Sequence, residues 1–215
     1  MALLRADRRE KAILLFFSFF VILYHITGYI GHYCYDDMTY ALNAYHVIHG
    51  GIDYQDHFFY RWIPVIPVAV SYWLFGLNDF ASAIPALLAT FAILFLVYRV
   101  FQNEDEHTLT IGLALVVLNN WFVFYSDKLM PDIHVALSVL ATICFYDKTK
   151  FGNEKTGLKI PLLFVFSLFY GFLSKGTIVL ILPLLFYLFA FDLVKKRMLK
   201  FWTISLVSGA TLLVF

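Results

Sequence analysis

The sequence predicts an all-α, polytopic integral membrane protein, and its composition, its apolar runs and the distribution of its basic residues predict this. Of the 215 residues, 61% are hydrophobic and 14% are charged, whereas about a quarter of the residues in a soluble domain are charged. This amount of polar surface is too small to cover a soluble globule, and we therefore expect lipid to cover the apolar surface. Backbone N–H and C=O groups in lipid must form hydrogen bonds within the protein, and helices satisfy this requirement. A formal net charge of +1 gives no support to nucleic-acid binding.

The first apolar run, residues 12–30, follows a basic stretch that contains Arg8, Arg9 and Lys11. No small-x-small cleavage pattern follows the run. Its length of about 19 residues suits a membrane span better than the core of a secretory signal. We therefore expect an uncleaved anchor with a cytoplasmic N-terminus.

Seven further apolar runs follow, and one of them, residues 63–77, is short and contains Pro64 and Pro67. If that run does not cross the membrane, all but three of the 16 Lys and Arg residues lie inside. If it does cross, only six remain inside, against the positive-inside rule. We therefore predict an interfacial or re-entrant helix at 63–77 and seven spans in total. The other runs are 80–101, 109–125, 133–146, 160–173, 177–193 and 201–215.

This topology gives outer loops at 31–80, 126–132 and 174–176, and it leaves Arg61, Lys128 and Lys175 as the outer cations. Cys34 and Cys144 fall on opposite sides, which excludes a disulfide between them. The last run has about 15 residues, or about 22 Å of helix, against a hydrocarbon core of about 30 Å. We therefore expect residues 1–215 to form one domain, the N-terminal part of a longer protein.

The first outer loop, 31–80, contains an amphipathic helix. Met38, Ala41, Leu42, Tyr45 and Ile48 recur at spacings of three and four and form an apolar stripe. Gly50-Gly51 is a C-terminal stop signal, and Asp36 stands where an N-cap is expected. We expect the helix to lie along the membrane surface with Asp36 and Asp37 just above the bilayer.

The segment Ser174-Lys175-Gly176-Thr177 is expected to open a spanning helix at its outer end. Free backbone N–H groups, the helix dipole and a lysine together predict a phosphate site there. Dipole complementarity alone disfavours a cation at a helix N-terminus, which favours a functional role for Lys175.

Five short motifs follow one another in order: Asp36-Asp37-Met38-Thr39-Tyr40-Ala41, Arg61-Trp62-Ile63-Pro64, Phe75-Gly76-Leu77-Asn78-Asp79-Phe80, Pro131-Asp132 and Ser174-Lys175-Gly176. Together they resemble motifs of the membrane-embedded GT-C glycosyltransferases, of the protein O-mannosyltransferase and lipid A aminoarabinose transferase type. The first resembles the Asp-Glu-x-x-Tyr-Ala loop of that family, with Asp37 in place of glutamate. The basic-proline element departs further, because two residues separate Arg61 from Pro64, and Tyr60 stands where a carboxylate metal ligand would be. The family's C-terminal half is missing.

The resemblance implies an inverting transferase that uses a polyprenyl-phosphate sugar donor, with its catalytic loop at 31–80. It implies Asp36 as general base, with Asp132 assisting and Asp37 beside it. Cations would hold the leaving phosphate, so neither a metal nor another cofactor is required. The predicted donor-binding residues are Arg61, Lys175, Tyr40 and Lys128. A divalent metal site is a less favoured alternative at His46, His49, Asp53, Asp56 and His57.

Other interpretations stay open. Each charged residue could have a structural role alone: Asp36 as a helix cap, Asp132 as a complement to a helix dipole, and Arg61 as a side chain that extends to the membrane interface. A transporter or lipid flippase would instead require ionisable residues at mid-membrane and repeated halves. A non-catalytic scaffold would leave the outer carboxylates unexplained. The acceptor could be a protein, a lipid or a glycan, and the short loops favour a bacterial inner membrane.

Overall fold

The computed structural model describes residues 8–52, 54–151 and 157–214, and this part of the chain is all-α, without a β-strand. The prediction of an all-helical chain is therefore confirmed. A 3₁₀ helix, Gly176–Ile181, precedes α9. The α-helices are α1 Arg8–Gly28, α2 Tyr35–His49, α3 Trp62–Phe75, α4 Asp79–Phe101, α5 Glu106–Val117, α6 Asn120–Tyr125, α7 Pro131–Phe151, α8 Lys159–Ser174, α9 Leu182–Val194 and α10 Leu199–Val214.

Within the described part of the chain, three helical segments are long and apolar enough to cross a membrane: α1, α4 and the continuous segment Gly176–Val194. The α3 helix has 14 residues, or about 21 Å at 1.5 Å per residue, which is less than the hydrocarbon core of about 30 Å. A length of this kind does not distinguish α3 from helices in runs that were expected to cross, so the non-crossing of residues 63–77 stays a prediction. The α5 and α8 helices are also short, so the topology of seven spans stays a prediction.

The apolar run 109–125 was expected to form one span, but the structure divides it into two helices. Helix α5 ends at Val117, and α6 begins at Asn120. Between them, the Asn119 side chain accepts a hydrogen bond from the Phe122 amide at 3.1 Å. An asparagine oxygen that binds the third amide of the next helix is a standard N-cap. The cap therefore starts a new helix inside a run whose hydropathy is continuous.

The chain divides into two compact units, Met1–His134 and Val135–Phe215. In the first unit, α3 packs between α2 and α4, while α1 packs against α4 and α5. Its core around α2 and α3 includes Tyr40, Ala44, Val65, Val68 and Tyr72. In the second unit, α8 packs against α10 and the 3₁₀ helix. The core of that unit includes Tyr146, Ile160, Phe164, Phe201 and Trp202.

Gly171 lies at a close contact between helices of the second unit. A Cβ atom placed on Gly171 would lie 2.2 Å from Ser138 Oγ and 2.8 Å from both Ser138 Cβ and Ile178 Cγ1. Because Ser138 Cβ belongs to the rigid part of α7, a change of rotamer cannot relieve this clash. Glycine is therefore required so that the two helices can approach.

We expect Gly171→Ala to destabilise the protein by about 1–3 kcal/mol, the usual range for overpacking. The measurement is the thermal unfolding midpoint in detergent. Gly209→Ala in α10 is the matched control, because no atom lies within 4 Å of a Cβ there. Because alanine has a higher helix propensity than glycine, Gly209→Ala should leave the unfolding midpoint unchanged or raise it. Equal midpoints for wild type and Gly171→Ala would contradict the close contact.

Candidate functional site

The two faces of α2 have opposite chemistry. Three residues of the predicted apolar stripe, Met38, Leu42 and Tyr45, are exposed. The inward face carries Asp37, Tyr40, Asn43 and Ala44, all of which are buried. A helix that exposes apolar side chains and buries polar ones suits a membrane surface better than water.

The structure corrects the expectation that Asp36 is the N-cap of this helix. The N-cap is Cys34, which has an extended backbone with φ of −146° and makes no side-chain capping bond. The helix begins at Tyr35, two residues earlier than an Asp36 cap would require. Asp36 therefore lies half-buried in the first turn, where an acid complements the helix dipole and its carboxylate is free of a capping role.

Asp37 is fully buried, unlike its neighbour Asp36. Its Oδ2 atom accepts a hydrogen bond from the Tyr33 amide at 2.9 Å, whereas Oδ1 has no hydrogen-bond partner among the described residues. Burial raises the pKa of Asp37, and the Tyr33 amide, the nearby His32 and Lys128 charges and the Leu129 amide oppose that rise. The site thus contains a buried carboxylate that is only partly compensated.

Tyr40 and Arg61 form the central pair of the site. The Arg61 guanidinium donates a hydrogen bond to the Tyr40 hydroxyl, and its Cζ atom lies 5.0 Å from the centre of the Phe58 ring. Burial raises the pKa of Tyr40 to about 12; Arg61 opposes this rise, and the carboxylates of Asp36 and Asp132 add to it. The hydroxyl therefore stays protonated and holds the guanidinium in place.

Asp132 lies in the first turn of α7, immediately after Pro131. Its charge acts on the Tyr40 hydroxyl together with that of Asp36. It also acts on the Tyr125 hydroxyl, together with Asp37. Four predicted site residues, Asp36, Asp132, Tyr40 and Arg61, are therefore grouped in the first unit, although 92 positions separate Tyr40 from Asp132.

Lys128 was predicted to bind the donor phosphate, but its ammonium is directed to a buried carboxylate. The Nζ atom lies 2.9 Å from Asp127 Oδ1, and the side chains are 4% and 1% exposed. The same ammonium stands 4.8 Å from the centre of the Tyr29 ring. On the other side, Asp127 Oδ2 lies 3.0 Å from His25 Nδ1. Lys128 therefore stabilises the protein interior and is not presented to a phosphate from outside.

His25 and Asp127 complete this buried network, and neither was predicted to be a site residue. The available signal was His25 itself, a single ionisable residue inside the first apolar run. Ionisable residues within spans usually face the bundle interior and find partners there. The partner, 102 positions away, could not be identified from the sequence.

The residues of the alternative metal site have other partners. Asp56 accepts hydrogen bonds from the Asn43 side chain and the Phe58 amide, both at 2.9 Å. The ring of His49 lies 4.4 Å from that of Tyr45. Among the described residues, no three His, Cys, Asp or Glu side chains form a group that could hold a metal ion. Asp53 lies outside the described residues.

Lys175 belongs to the second unit, at the start of the 3₁₀ helix Gly176–Ile181. Its own amide donates to the Gly171 carbonyl at 2.9 Å, so this amide is not free for a ligand. The helix continues as α9 from Leu182. The role of Lys175 in binding a phosphate stays a prediction from the sequence.

The raised pKa of Asp37 predicts how stability depends on pH. A carboxyl whose pKa is higher in the folded than in the unfolded state costs nothing below its ordinary value of 3.8. The destabilisation that its ionisation causes in the folded state grows as the pH rises from that value through the folded-state pKa. We therefore expect Asp37→Asn to unfold at a higher temperature than wild type at neutral pH, with the difference shrinking toward pH 4.

Asp105 provides a control of opposite sign in the same unit. Hydrogen bonds from the Thr108 hydroxyl and amide lower the pKa of Asp105. The stability that this carboxylate contributes is present above its ordinary pKa and is lost as the pH falls through the lower folded-state value. A midpoint difference between Asp37→Asn and wild type that stays constant with pH would contradict the compensation described for Asp37.

No protein-family model, curated protein or solved structure matches this chain.

Proposed function

We propose that this protein is a membrane glycosyltransferase of the GT-C type, which transfers a sugar from a polyprenyl-phosphate donor to an acceptor at the non-cytoplasmic membrane surface. The proposal depends on one observation above all. Two half-buried carboxylates, Asp36 and Asp132, act on a buried Tyr40–Arg61 pair at a helix that exposes apolar side chains. The five motifs that resemble GT-C enzymes support it, because three of them contain these residues.

The proposed reaction is a single displacement. Asp36 accepts the proton of the acceptor hydroxyl, whose oxygen forms a bond to the anomeric carbon. The bond from that carbon to the phosphate oxygen breaks, and the electron pair leaves with the lipid phosphate. Attack from the opposite face inverts the anomeric configuration. A positioned general base and a cation at the leaving group are the two groups that this reaction requires.

The burial of the residues divides the roles. Asp36 is half-buried and can meet a substrate, whereas Asp37 is fully enclosed and can act only through its neighbours. Arg61 is also half-buried, and the Tyr40 hydroxyl holds its guanidinium by a hydrogen bond. We therefore assign Asp36 as the base, Asp132 as its assistant, Arg61 as the cation at the leaving phosphate, and Tyr40 as a positioning residue.

The proposed membrane arrangement follows the distribution of basic residues. Seven spans, with the N-terminus in the cytoplasm of a bacterium, bring the loop 31–80 to the outer face of the inner membrane. A lipid-linked donor has its phosphate at that interface, so a surface helix such as α2 can reach it. Neither a metal nor another cofactor is needed, because a lipid phosphate leaves as a stable anion.

The test is transfer by the purified full chain in liposomes that contain polyprenyl-phosphate sugars and a mixture of extracted envelope lipids, glycans and proteins. We expect a sugar-modified acceptor by mass spectrometry, with inverted anomeric configuration by NMR. Retained configuration would contradict the single displacement. A solute gradient dissipated across the liposomes without any transfer would favour the transporter alternative.

A further inference from the structure

An apolar groove of about 840 Å³ lies in the first unit. Ligand pockets in proteins have volumes of roughly 300–1,000 Å³, so a hydrocarbon chain of considerable length fits the groove. The groove is bordered by α1, by the junction of α5 and α6, and by the segment before α2. None of its lining residues is charged, and they include Phe20, Tyr24, Tyr33, Leu118, Trp121 and Tyr125.

The groove exists because the predicted third span is broken. Its lining includes Val117 and Leu118, where α5 ends, and Asn120, where α6 begins. Aromatic rings then form a continuous wall along α6: Trp121 stacks on Tyr125 with centroids 5.8 Å apart. A wall of aromatic rings in an apolar groove suits the binding of an alkyl or isoprenoid chain.

One end of the groove meets the carboxylates of the candidate site. Tyr33 lines the groove with its side chain, and its backbone amide binds Asp37. Tyr125 lines it as well, and its hydroxyl is within electrostatic reach of Asp132 and Asp37. The Nζ atom of Lys128 lies 5.8 Å from the centre of the Phe124 ring in this wall, and it forms an ion pair with Asp127.

This charge arrangement decides between lipid head groups. A phosphate at this end would face carboxylates, and like charges repel. A hydroxyl would instead donate its proton toward them, as the acceptor of the proposed reaction must. The Arg61 guanidinium, which suits a phosphate, contacts Tyr40 and Phe58 and does not line the groove.

We propose that this groove binds the hydrocarbon chain of a lipid acceptor whose uncharged, hydroxyl-bearing head group reaches Asp132. The inference rests on the proposed function for the acceptor role, but the binding itself does not require transfer. It selects a lipid from the three acceptor classes that the sequence left open. The donor phosphate approaches from the Arg61 side of Tyr40.

Fluorescence quenching tests the groove without any donor sugar. The full chain is placed in nanodiscs of unbrominated phosphatidylcholine and titrated with a chain-brominated long-chain alcohol, or with the alkyl phosphate of the same chain. Trp121 lines the groove, and Trp73 is similarly exposed on α3 outside it, with exposures of 66% and 74%. Trp121→Phe and Trp73→Phe are therefore a matched pair.

We expect saturable quenching by the alcohol, most of which is lost in Trp121→Phe and kept in Trp73→Phe. The alkyl phosphate should bind roughly five- to tenfold more weakly, because of its repulsion from the carboxylates. Unsaturable quenching that is equal in both variants would mean bulk lipid only and overturn the proposal. Equal binding of the phosphate would overturn the assignment to an acceptor. Saturable binding without sugar transfer would contradict the proposed function but not the lipid site in the groove. Sugar transfer without saturable binding would contradict the lipid site but not the proposed function.

Discussion

Lys128→Met is expected to destabilise the protein by about 3–5 kcal/mol, the usual cost of removing one partner from a buried ion pair. Methionine keeps the length of the side chain and removes its charge. Asp127 would then stay enclosed, at 1% side-chain exposure, with His25 as the contact that remains to it. The measurement is the free energy of unfolding in detergent, or the thermal midpoint where unfolding is irreversible.

Two variants separate charge compensation from packing. The double variant with Asp127→Asn and Lys128→Met is expected to recover most of the lost stability, because it leaves no unpaired charge buried. Arg9→Met is the matched control, because Arg9 and Glu106 form an ion pair at 3.6 Å with exposed side chains. An exposed pair contributes about 1 kcal/mol or less. Similar losses in Lys128→Met and Arg9→Met would contradict the buried network.

The helices were largely predictable, because each follows a local pattern. The apolar runs predicted most of the helices, including the short α3, and spacings of three and four residues predicted α2. The break at Leu118 was missed for a physical reason. Asn119 caps α6 directly after α5 ends at Val117, and hydropathy averaged over a window of residues conceals a polar side chain of this kind.

The site was predictable only in part, because burial and pairing depend on distant residues. Asp36 and Asp37 are adjacent in sequence, yet successive residues on a helix point about 100° apart, so one is half-buried and the other fully buried. Which of the two faced inward depended on the packing of α2 against α3. The pairing of Lys128 with Asp127 is local, but its burial depends on α1, which supplies His25.

The burial of Asp37 also separates stability from function at this site. A carboxylate with an unpartnered oxygen is retained at a cost in stability, as is common where a site needs a fixed charge. If Asp37 orients the loop before α2 through the Tyr33 amide, Asp37→Asn should be more stable and yet less active. The sequence alone could not have predicted this combination of higher stability and lower activity, because both effects depend on the burial of Asp37.

Asp36→Asn is expected to reduce sugar transfer by about 10²–10⁴-fold, the usual contribution of a general base. The amide cannot accept the acceptor proton, although it keeps the shape and the place of the carboxylate in the first turn of α2. Both kcat and kcat/KM should fall together, because the lost interaction acts in the transition state. The measurement is initial-rate transfer in liposomes at saturating donor.

The controls for Asp36→Asn use the same substitution at two other positions. Asp105→Asn changes the exposed N-cap of α5. It should leave the rate unchanged, because asparagine caps helices as well as aspartate does. Asp132→Asn should reduce the rate less than Asp36→Asn. The reverse order would assign the base to Asp132, since both carboxylates act on Tyr40. Wild-type turnover in Asp36→Asn would remove this residue from the mechanism, and the Tyr40–Arg61 pair would then need another base.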